Sequence, residues 1–191
     1  MKLKIGFFAI LLALALLLNP TLLSLSVFLA ALLHELGHIG MAACCGIRLE
    51  ECKIGIYGAG LMPDSGLYSY KKECLLCLAG PLTNLLCVGI GMLLSAQSDS
   101  AFLQSFLFAS GSLGILNLLP IWEFYGGRIL HALLCCRLSP VTALRILRIL
   151  SFGCVLLLWM LSVYLLLRFS SSLSLFVFSL SLFFRIFIPT S

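Results

Sequence analysis

The stretch HELGH at residues 34–38 places two of the chain's three histidines and one acidic residue inside an apolar segment. This segment runs from Thr21 to Cys45, and Glu35 is its only acidic residue. It is long enough to cross a bilayer as a helix, and an ionisable group at that depth costs about 2.5–3.5 kcal/mol. Three such groups close together therefore indicate a functional site within a membrane-spanning helix.

The composition of the whole chain is typical of a membrane protein. Of its 191 residues, 62% are hydrophobic and 10% are charged, and the mean hydropathy is +1.18. Soluble domains are about 45–50% apolar and about 25% charged. The sequence therefore predicts an all-α integral membrane protein that forms a single polytopic domain over residues 1–191, without a separate soluble domain.

Segments of about 20 apolar residues predict the membrane-spanning helices. About six are predicted, at roughly 5–19, 21–45, 73–96, 101–119, 146–167 and 170–188. The first begins like a signal peptide, but no small-x-small cleavage site follows directly, so we expect a retained helix. In the connection 46–72, Ile54 and Ile56 alternate with small or polar residues, which favours a short hairpin or a re-entrant loop after the HELGH helix.

The distribution of lysine and arginine predicts the orientation in the membrane. With the N-terminus in the cytoplasm, eleven of the twelve Lys and Arg residues fall on the inner side, and only Arg168 falls outside. Cytoplasmic loops carry such an excess of positive charge. We therefore expect a multi-pass cell-membrane protein with both termini in the cytoplasm and with HELGH near the cytoplasmic face. This topology explains the net charge of +5, and no nucleic-acid partner is expected.

The spacing within HELGH predicts a metal site. His34 and His38 are four residues apart and share one face of a helix. Two neutral imidazoles can bind one zinc ion and leave positions for a third protein ligand and a water. The pKa of a zinc-bound water falls to about 7, and Glu35 can take its proton. Because H-E-x-x-H is the signature of zinc hydrolases, we expect Zn²⁺ as the cofactor; a purely structural polar cluster is the alternative.

Three motifs in a fixed order, HELGH (34–38), AGPLTN (79–84) and NLLPIWEFYGG (117–127), carry a family resemblance. Together they resemble the site-2 protease family of intramembrane zinc metalloproteases, close to the compact bacterial branch that includes the sporulation factor processing protease. The resemblance implies an enzyme, a zinc metalloendopeptidase that hydrolyses peptide bonds of transmembrane or membrane-proximal substrates. Its implied partners are a membrane-protein substrate and the lipid bilayer.

The resemblance covers residues from about Thr21 to Leu130. It implies a catalytic core at about 21–130, with accessory helices at 5–19, 146–167 and 170–188. Small residues such as Gly80 let helices approach closely. The AGPLTN motif, with Asn84 at its end, can therefore serve either helix packing or the active site.

The resemblance also implies roles for individual residues. His34 and His38 would be zinc ligands, and Glu35 would be the general base. Asn117 would line the active site and bind the substrate or the reacting oxygen, with an ordinary contact between helices as the alternative.

The third zinc ligand departs from the family pattern. The family has an aspartate where this chain has Tyr125, and a phenol with its ordinary pKa of about 10 is a poor zinc ligand. Glu123 offers a carboxylate from the same loop and is the predicted substitute. Tyr125 itself, His131, Asp64 and a site with only two protein ligands are the alternatives.

The replacement at residue 125 also leaves a second function open. A catalytically impaired relative would still bind a membrane partner without cleaving it. A transporter or metal carrier is a third class, but it would need polar residues along several spans, and the last two spans have almost none.

Overall fold

The computed structural model describes residues 2–5, 21–47, 49–55, 58–63, 69–95, 99–169 and 173–187. Residues 6–19 of the predicted first span lie outside this part of the chain. Within it, six helices and three strands follow one another: β1 (Lys2–Ile5), α1 (Leu22–Cys45), β2 (Leu49–Gly55), β3 (Gly58–Pro63), α2 (Tyr70–Ser95), α3 (Ala101–Leu118), α4 (Tyr125–Cys135), α5 (Pro140–Phe169) and α6 (Leu173–Phe187).

Four helices are long and apolar enough to cross a membrane, namely α1, α2, α3 and residues Pro140–Arg168 of α5. They correspond to the second to fifth predicted spans. Helix α6 has 15 residues and is apolar from Leu175 to Phe184, so it is shorter than the other candidate spans. The predicted fold class, an all-α membrane protein with a short hairpin after the HELGH helix, is confirmed.

One predicted connection is partly helical. The segment 120–145 was expected to link two spans, but it contains the 11-residue helix α4 and the first turns of α5. A search for apolar runs of about 20 residues cannot detect so short a helix. Helix α5 begins at Pro140, a favourable first helical residue, and the Ser139 hydroxyl accepts a hydrogen bond from the Thr142 amide at 3.3 Å.

Local chemistry sets both ends of α1. At its start, the Thr21 hydroxyl accepts a hydrogen bond from the Ser24 amide, and the Ser24 hydroxyl accepts one from the Thr21 amide, which is a capping box. At its end, Gly46 adopts the left-handed conformation with φ 65°, which glycine tolerates without steric cost. Lys72 then donates to the terminal Cys45 carbonyl at 3.0 Å. The helix therefore closely matches its predicted range.

The predicted hairpin is formed by β2 and β3, which pair antiparallel with Gly55 opposite Gly58. The third strand, β1, pairs parallel with β2 on the opposite side from β3. Residues 2–5 therefore lie beside the hairpin that follows α1, on the same side of the fold. Strand β1 was not expected, because its partner is more than 40 residues away in the sequence.

The described residues divide into two compact units, Met1–Leu118 and Leu119–Ser191. In the first unit, α1, α2 and α3 pack against one another as a three-helix bundle. Helix α1 buries one row of side chains spaced four residues apart: Ser26, Ala30, His34, His38 and Ala42. Both HELGH histidines therefore point into the bundle.

The second unit contains α4, α5 and α6, with α5 packed against the other two helices. Ser151 of α5 accepts a hydrogen bond from the Trp122 amide at 3.0 Å and donates one to the Pro120 carbonyl at 3.2 Å, which attaches the turn before α4 to α5. The hydroxyl groups of Ser162 and Ser179 lie 3.0 Å apart and link α5 to α6.

Candidate metal centre

The two histidines of HELGH converge inside the three-helix bundle. Their side chains are 3% and 1% exposed, and Nε2 of His34 lies 3.2 Å from Nε2 of His38. Two nitrogen ligands at 2.0–2.1 Å from a tetrahedral zinc ion stand about 3.3 Å apart. The predicted pair therefore has the spacing that a single ion requires.

The Nδ1 atoms of both rings contact helix α2. Nδ1 of His38 lies 2.6 Å from the carbonyl oxygen of Leu76, so this nitrogen carries a hydrogen and donates it. That bond leaves the lone pair of the ring on Nε2, the atom that faces His34. Nδ1 of His34 lies 3.3 Å from Nδ2 of Asn84. Metal-ligating histidines usually donate the second ring N–H to an acceptor that orients the ring, as His38 does here to Leu76.

Gly80 of α2 keeps the space beside the two Nε2 atoms open. A Cβ atom at this residue would overlap Nε2 of His38 and lie 2.7 Å from Nε2 of His34. A side chain at residue 80 would therefore fill the region that an ion bound to both nitrogens would occupy. The AGPLTN motif was compatible with helix packing or with a place at the active site, and the contacts of Gly80 favour the active site.

Glu35 contributes a carboxylate next to the histidine pair. Its side chain is half-buried, and its Oε2 atom is buried without a hydrogen-bond partner among the described residues. A buried carboxylate oxygen without a partner is unfavourable. This atom is therefore suited to bind a polar group or a water molecule that enters the site, as a general base must.

The residues of the first unit fit a zinc ion. They supply two nitrogen ligands, an adjacent carboxylate and an open space for the ion. Across the described part of the chain, no three His, Cys, Asp and Glu side chains form a group arranged to hold a metal. The contacts therefore do not assign a third ligand.

The candidates for the third ligand lie elsewhere in the chain. Glu123 and Tyr125 belong to the second unit, in the turn before α4 and at its first residue, and both are half-buried. His131 lies on α4, with Nε2 3.5 Å from Sγ of Cys135, and Asp64 lies outside the described residues. Glu123 as the third ligand stays a prediction.

Asn117 is the penultimate residue of α3 and is half-buried. Its Nδ2 atom donates to the Leu113 carbonyl of the same helix at 2.9 Å. The predicted contact of Asn117 with a substrate stays a prediction.

The contribution of α2 to the site was not predicted from the sequence. Three residues of this helix lie at intervals of four and face the histidines: Leu76, Gly80 and Asn84. The Leu76 carbonyl contacts His38, Gly80 leaves space beside both rings, and the Asn84 amide contacts His34. The spacing of Gly80 and Asn84 in AGPLTN was the available signal. The carbonyl of Leu76 has no sequence signature, because any residue supplies one.

Comparisons with known proteins identify the family of this chain. A family model described as Peptidase M50B-like matches residues 7–185. Stage IV sporulation protein FB of Bacillus subtilis is 30% identical over 112 residues, which cover 57% of this chain and 39% of that protein. A zinc metalloprotease of Methanocaldococcus jannaschii is 31% identical over 113 residues, which cover 56% of this chain and 32% of that protein. The matches thus span less than half the length of either relative.

The fold is also similar to a solved structure. The site-2 protease from Methanocaldococcus jannaschii superposes with a TM-score of 0.68 at 22% sequence identity, and the match covers 100% of this chain and 94% of that chain. At this level of identity the similarity concerns the fold.

Proposed function

Because this chain belongs to the Peptidase M50B-like family, we propose that it is a membrane zinc metalloendopeptidase that hydrolyses peptide bonds of transmembrane or membrane-proximal substrates. The observation that carries the proposal is the convergence of His34 and His38 through their Nε2 atoms, 3.2 Å apart, in the core of an apolar bundle. A pair of buried imidazoles aimed at one point has no packing purpose that apolar side chains would not serve better.

The proposed chemistry assigns one task to each residue. Zinc, held by Nε2 of His34 and of His38, would polarise the attacked carbonyl and activate a water. The Leu76 carbonyl keeps the lone pair of His38 on Nε2. Oε2 of Glu35 accepts a proton from the attacking water, and the same carboxyl group then gives it to the departing amine nitrogen.

Peptide hydrolysis also needs an accessible backbone. A transmembrane helix hides its peptide bonds in its own hydrogen bonds, so the substrate must be locally unwound. Strand β3 is an edge of the three-stranded sheet that follows α1. An extended substrate segment can add to such an edge through main-chain hydrogen bonds, and we propose this edge as a docking element.

The proposed setting is the cell membrane, in which α1, α2, α3 and α5 would lie as spans. The distribution of Lys and Arg favours cytoplasmic termini and a site near the cytoplasmic face. The proposed partner is a membrane-protein substrate.

The proposal is tested by reconstituting the purified chain with Zn²⁺ and a panel of single-span substrates. Glu35→Gln keeps the shape of the side chain and removes the base, so it should lower the cleavage rate by about 10²–10⁴-fold with unchanged zinc content. Glu73→Gln is the matched control, since this half-buried glutamate lies in the first turn of α2, and it should cleave like the wild type. Equal cleavage by the Glu35→Gln and wild-type chains would contradict the proposal.

A second function is a catalytically impaired membrane protein that binds its partner without cleaving it. The observation that favours it is Tyr125, which stands where the family pattern has an aspartate ligand. In that case the wild-type chain would retain an intact substrate through purification. Only the Tyr125→Asp variant would then release fragments.

A further inference from the structure

The histidine pair of α1 and one face of α2 form a continuous chain of polar contacts. Nδ2 of Asn84 lies 3.3 Å from Nδ1 of His34, Nε2 of His34 lies 3.2 Å from Nε2 of His38, and Nδ1 of His38 lies 2.6 Å from the Leu76 carbonyl. Asn84 is fully buried. This series of contacts begins at the Asn84 amide and ends at the Leu76 carbonyl oxygen, with both imidazoles between them.

Hydrogen bonds along this chain must all point in the same direction. The Leu76 carbonyl can only accept, so Nδ1 of His38 donates and its Nε2 accepts. Nε2 of His34 therefore donates to His38, and Nδ1 of His34 accepts from the Asn84 amide nitrogen. In this arrangement the hydrogen of the His34 ring is on Nε2.

Zinc binding requires the opposite tautomer of His34. Both Nε2 atoms must present a lone pair to the ion, so the hydrogen of the His34 ring must move to Nδ1. Nδ1 then becomes a donor, and its partner must become an acceptor. A carboxamide meets this demand by turning 180° about its last side-chain bond, which exchanges Nδ2 for Oδ1 at nearly the same position.

We propose, on the basis of the zinc site proposed above, that Asn84 is a positioning residue that holds His34 as a zinc ligand through Oδ1. Its amide serves the His34 ring in both tautomers, as donor in one and as acceptor in the other. A carboxamide carries both groups, whereas a carboxylate only accepts and an ammonium or guanidinium group only donates. In support of this role, Oδ1 of Asn84 is buried and has no hydrogen-bond partner within the described residues, so it is available to accept one.

The measurement is the Zn²⁺ affinity of the full chain in detergent, by competition with a chelating dye. Asn84→Leu keeps approximate size and removes both functions, and it should weaken zinc binding about 10–100-fold. Asn84→Asp keeps the acceptor that the zinc-bound tautomer needs, and its affinity should stay within about threefold of the wild type or exceed it. Ser110→Ala in α3, which also removes a fully buried polar group, is the matched control and should bind zinc like the wild type.

The outcomes separate this role from simple packing and from failure of the zinc site. Equal affinity of the Asn84→Leu and wild-type chains overturns the positioning role, and so does an equal loss in the Leu and Asp variants, because a packing residue would not distinguish them. If Asn84→Leu does not fold, Asn84→Asp decides alone, and a tenfold loss of affinity contradicts the proposal. A wild-type chain that binds no zinc refutes the proposed function instead.

The tautomer gives a second readout that does not depend on activity. Nitrogen-15 NMR of labelled chain should show the hydrogen of His34 on Nε2 before Zn²⁺ is added and on Nδ1 afterwards. A His34 ring that keeps the same tautomer throughout would overturn the rotation of the Asn84 amide.

Discussion

Gly80 of α2 faces His38 of α1 so closely that a single methyl group at residue 80 would overlap Nε2 of the imidazole. The atoms that this methyl group would meet are the ends of the two histidine rings, 2.7 Å away in the case of Nε2 of His34. Ring ends can turn aside, whereas backbone cannot. The cost of a side chain at residue 80 should therefore fall on the metal site and not on the fold.

The Gly80→Ala variant should lose zinc and keep its stability. We expect at least about a 100-fold loss of Zn²⁺ affinity, because both ligands are displaced, and a melting temperature within a few degrees of the wild type. Alanine also favours a helix over glycine by about 1 kcal/mol, which offsets part of the strain. Metal content after dialysis and thermal unfolding in detergent measure the two effects.

Gly89→Ala is the matched control for this substitution. Gly89 lies on the same helix, and a Cβ atom there would meet nothing within 4 Å. This variant should bind zinc like the wild type and unfold at the same or a slightly higher temperature. Equal zinc affinity of the Gly80→Ala and Gly89→Ala variants would mean that the space beside Gly80 is not used by the ion.

The spans could be predicted from the sequence because a run of apolar residues is a local property. Helices α1 and α3 end within one residue of their expected limits. Helix α4 was missed because it is short, and β1 was missed because its pairing depends on a distant segment. Local patterns therefore predict the apolar membrane-spanning helices, but not the elements that depend on tertiary contacts.

The residues of the candidate site also fall into two groups, those that the sequence predicts and those that only the structure reveals. His34, Glu35 and His38 were found because their spacing on one helix carries the chemistry. The role of Asn84 was left open because the motif does not reveal which atom of which side chain the amide would meet. That information arises only when α1 and α2 pack together.

Gly37 and Gly40 of α1 should respond oppositely to the same substitution. A Cβ atom at Gly37 would overlap Oγ1 of Thr83 and lie 2.9 Å from the backbone oxygen of Ala79, while one at Gly40 would meet nothing within 4 Å. Because backbone cannot move aside cheaply, Gly37→Ala should destabilise the bundle by about 1–3 kcal/mol. Gly40→Ala should be neutral or stabilising by up to about 1 kcal/mol.

Unfolding in mixed detergents compares these two variants with the wild type. The difference between them is informative because they share a helix and the same change in helix preference. If both unfold together, α1 and α2 do not approach each other as closely as Gly37 and Ala79 require.

Ser151→Ala should loosen the turn that carries Glu123. The Ser151 hydroxyl holds both the Trp122 amide and the Pro120 carbonyl, and its loss leaves a peptide N–H without this partner. We expect a destabilisation of about 1–3 kcal/mol, measured by thermal unfolding. Ser26→Ala is the control, because the Ser26 hydroxyl donates to the Leu22 carbonyl of its own helix, and this variant should change stability much less. Equal shifts would show that the Ser151 bridge contributes nothing beyond the loss of a hydroxyl.

The third zinc ligand is predicted to be Glu123 and not Tyr125. A carboxylate is ionised at neutral pH and binds zinc at about 2.0–2.2 Å, whereas a phenol must first lose a proton from a group with an ordinary pKa of about 10. Glu123→Ala should therefore lower zinc affinity at least about tenfold, and Tyr125→Phe, which removes only the phenolic oxygen, should leave it unchanged. Chelator competition measures both.

Tyr125→Asp provides the complementary gain of function. Residue 125 begins α4, after Phe124 at a helix start without a side-chain cap, so an aspartate there is also favoured by the helix dipole. This variant should fold at least as stably as the wild type and should rescue zinc affinity when combined with Glu123→Ala. If Tyr125→Phe loses zinc and Glu123→Ala does not, the phenol is the ligand. If neither substitution changes affinity, and Tyr125→Asp gives no rescue, the third ligand lies outside this turn.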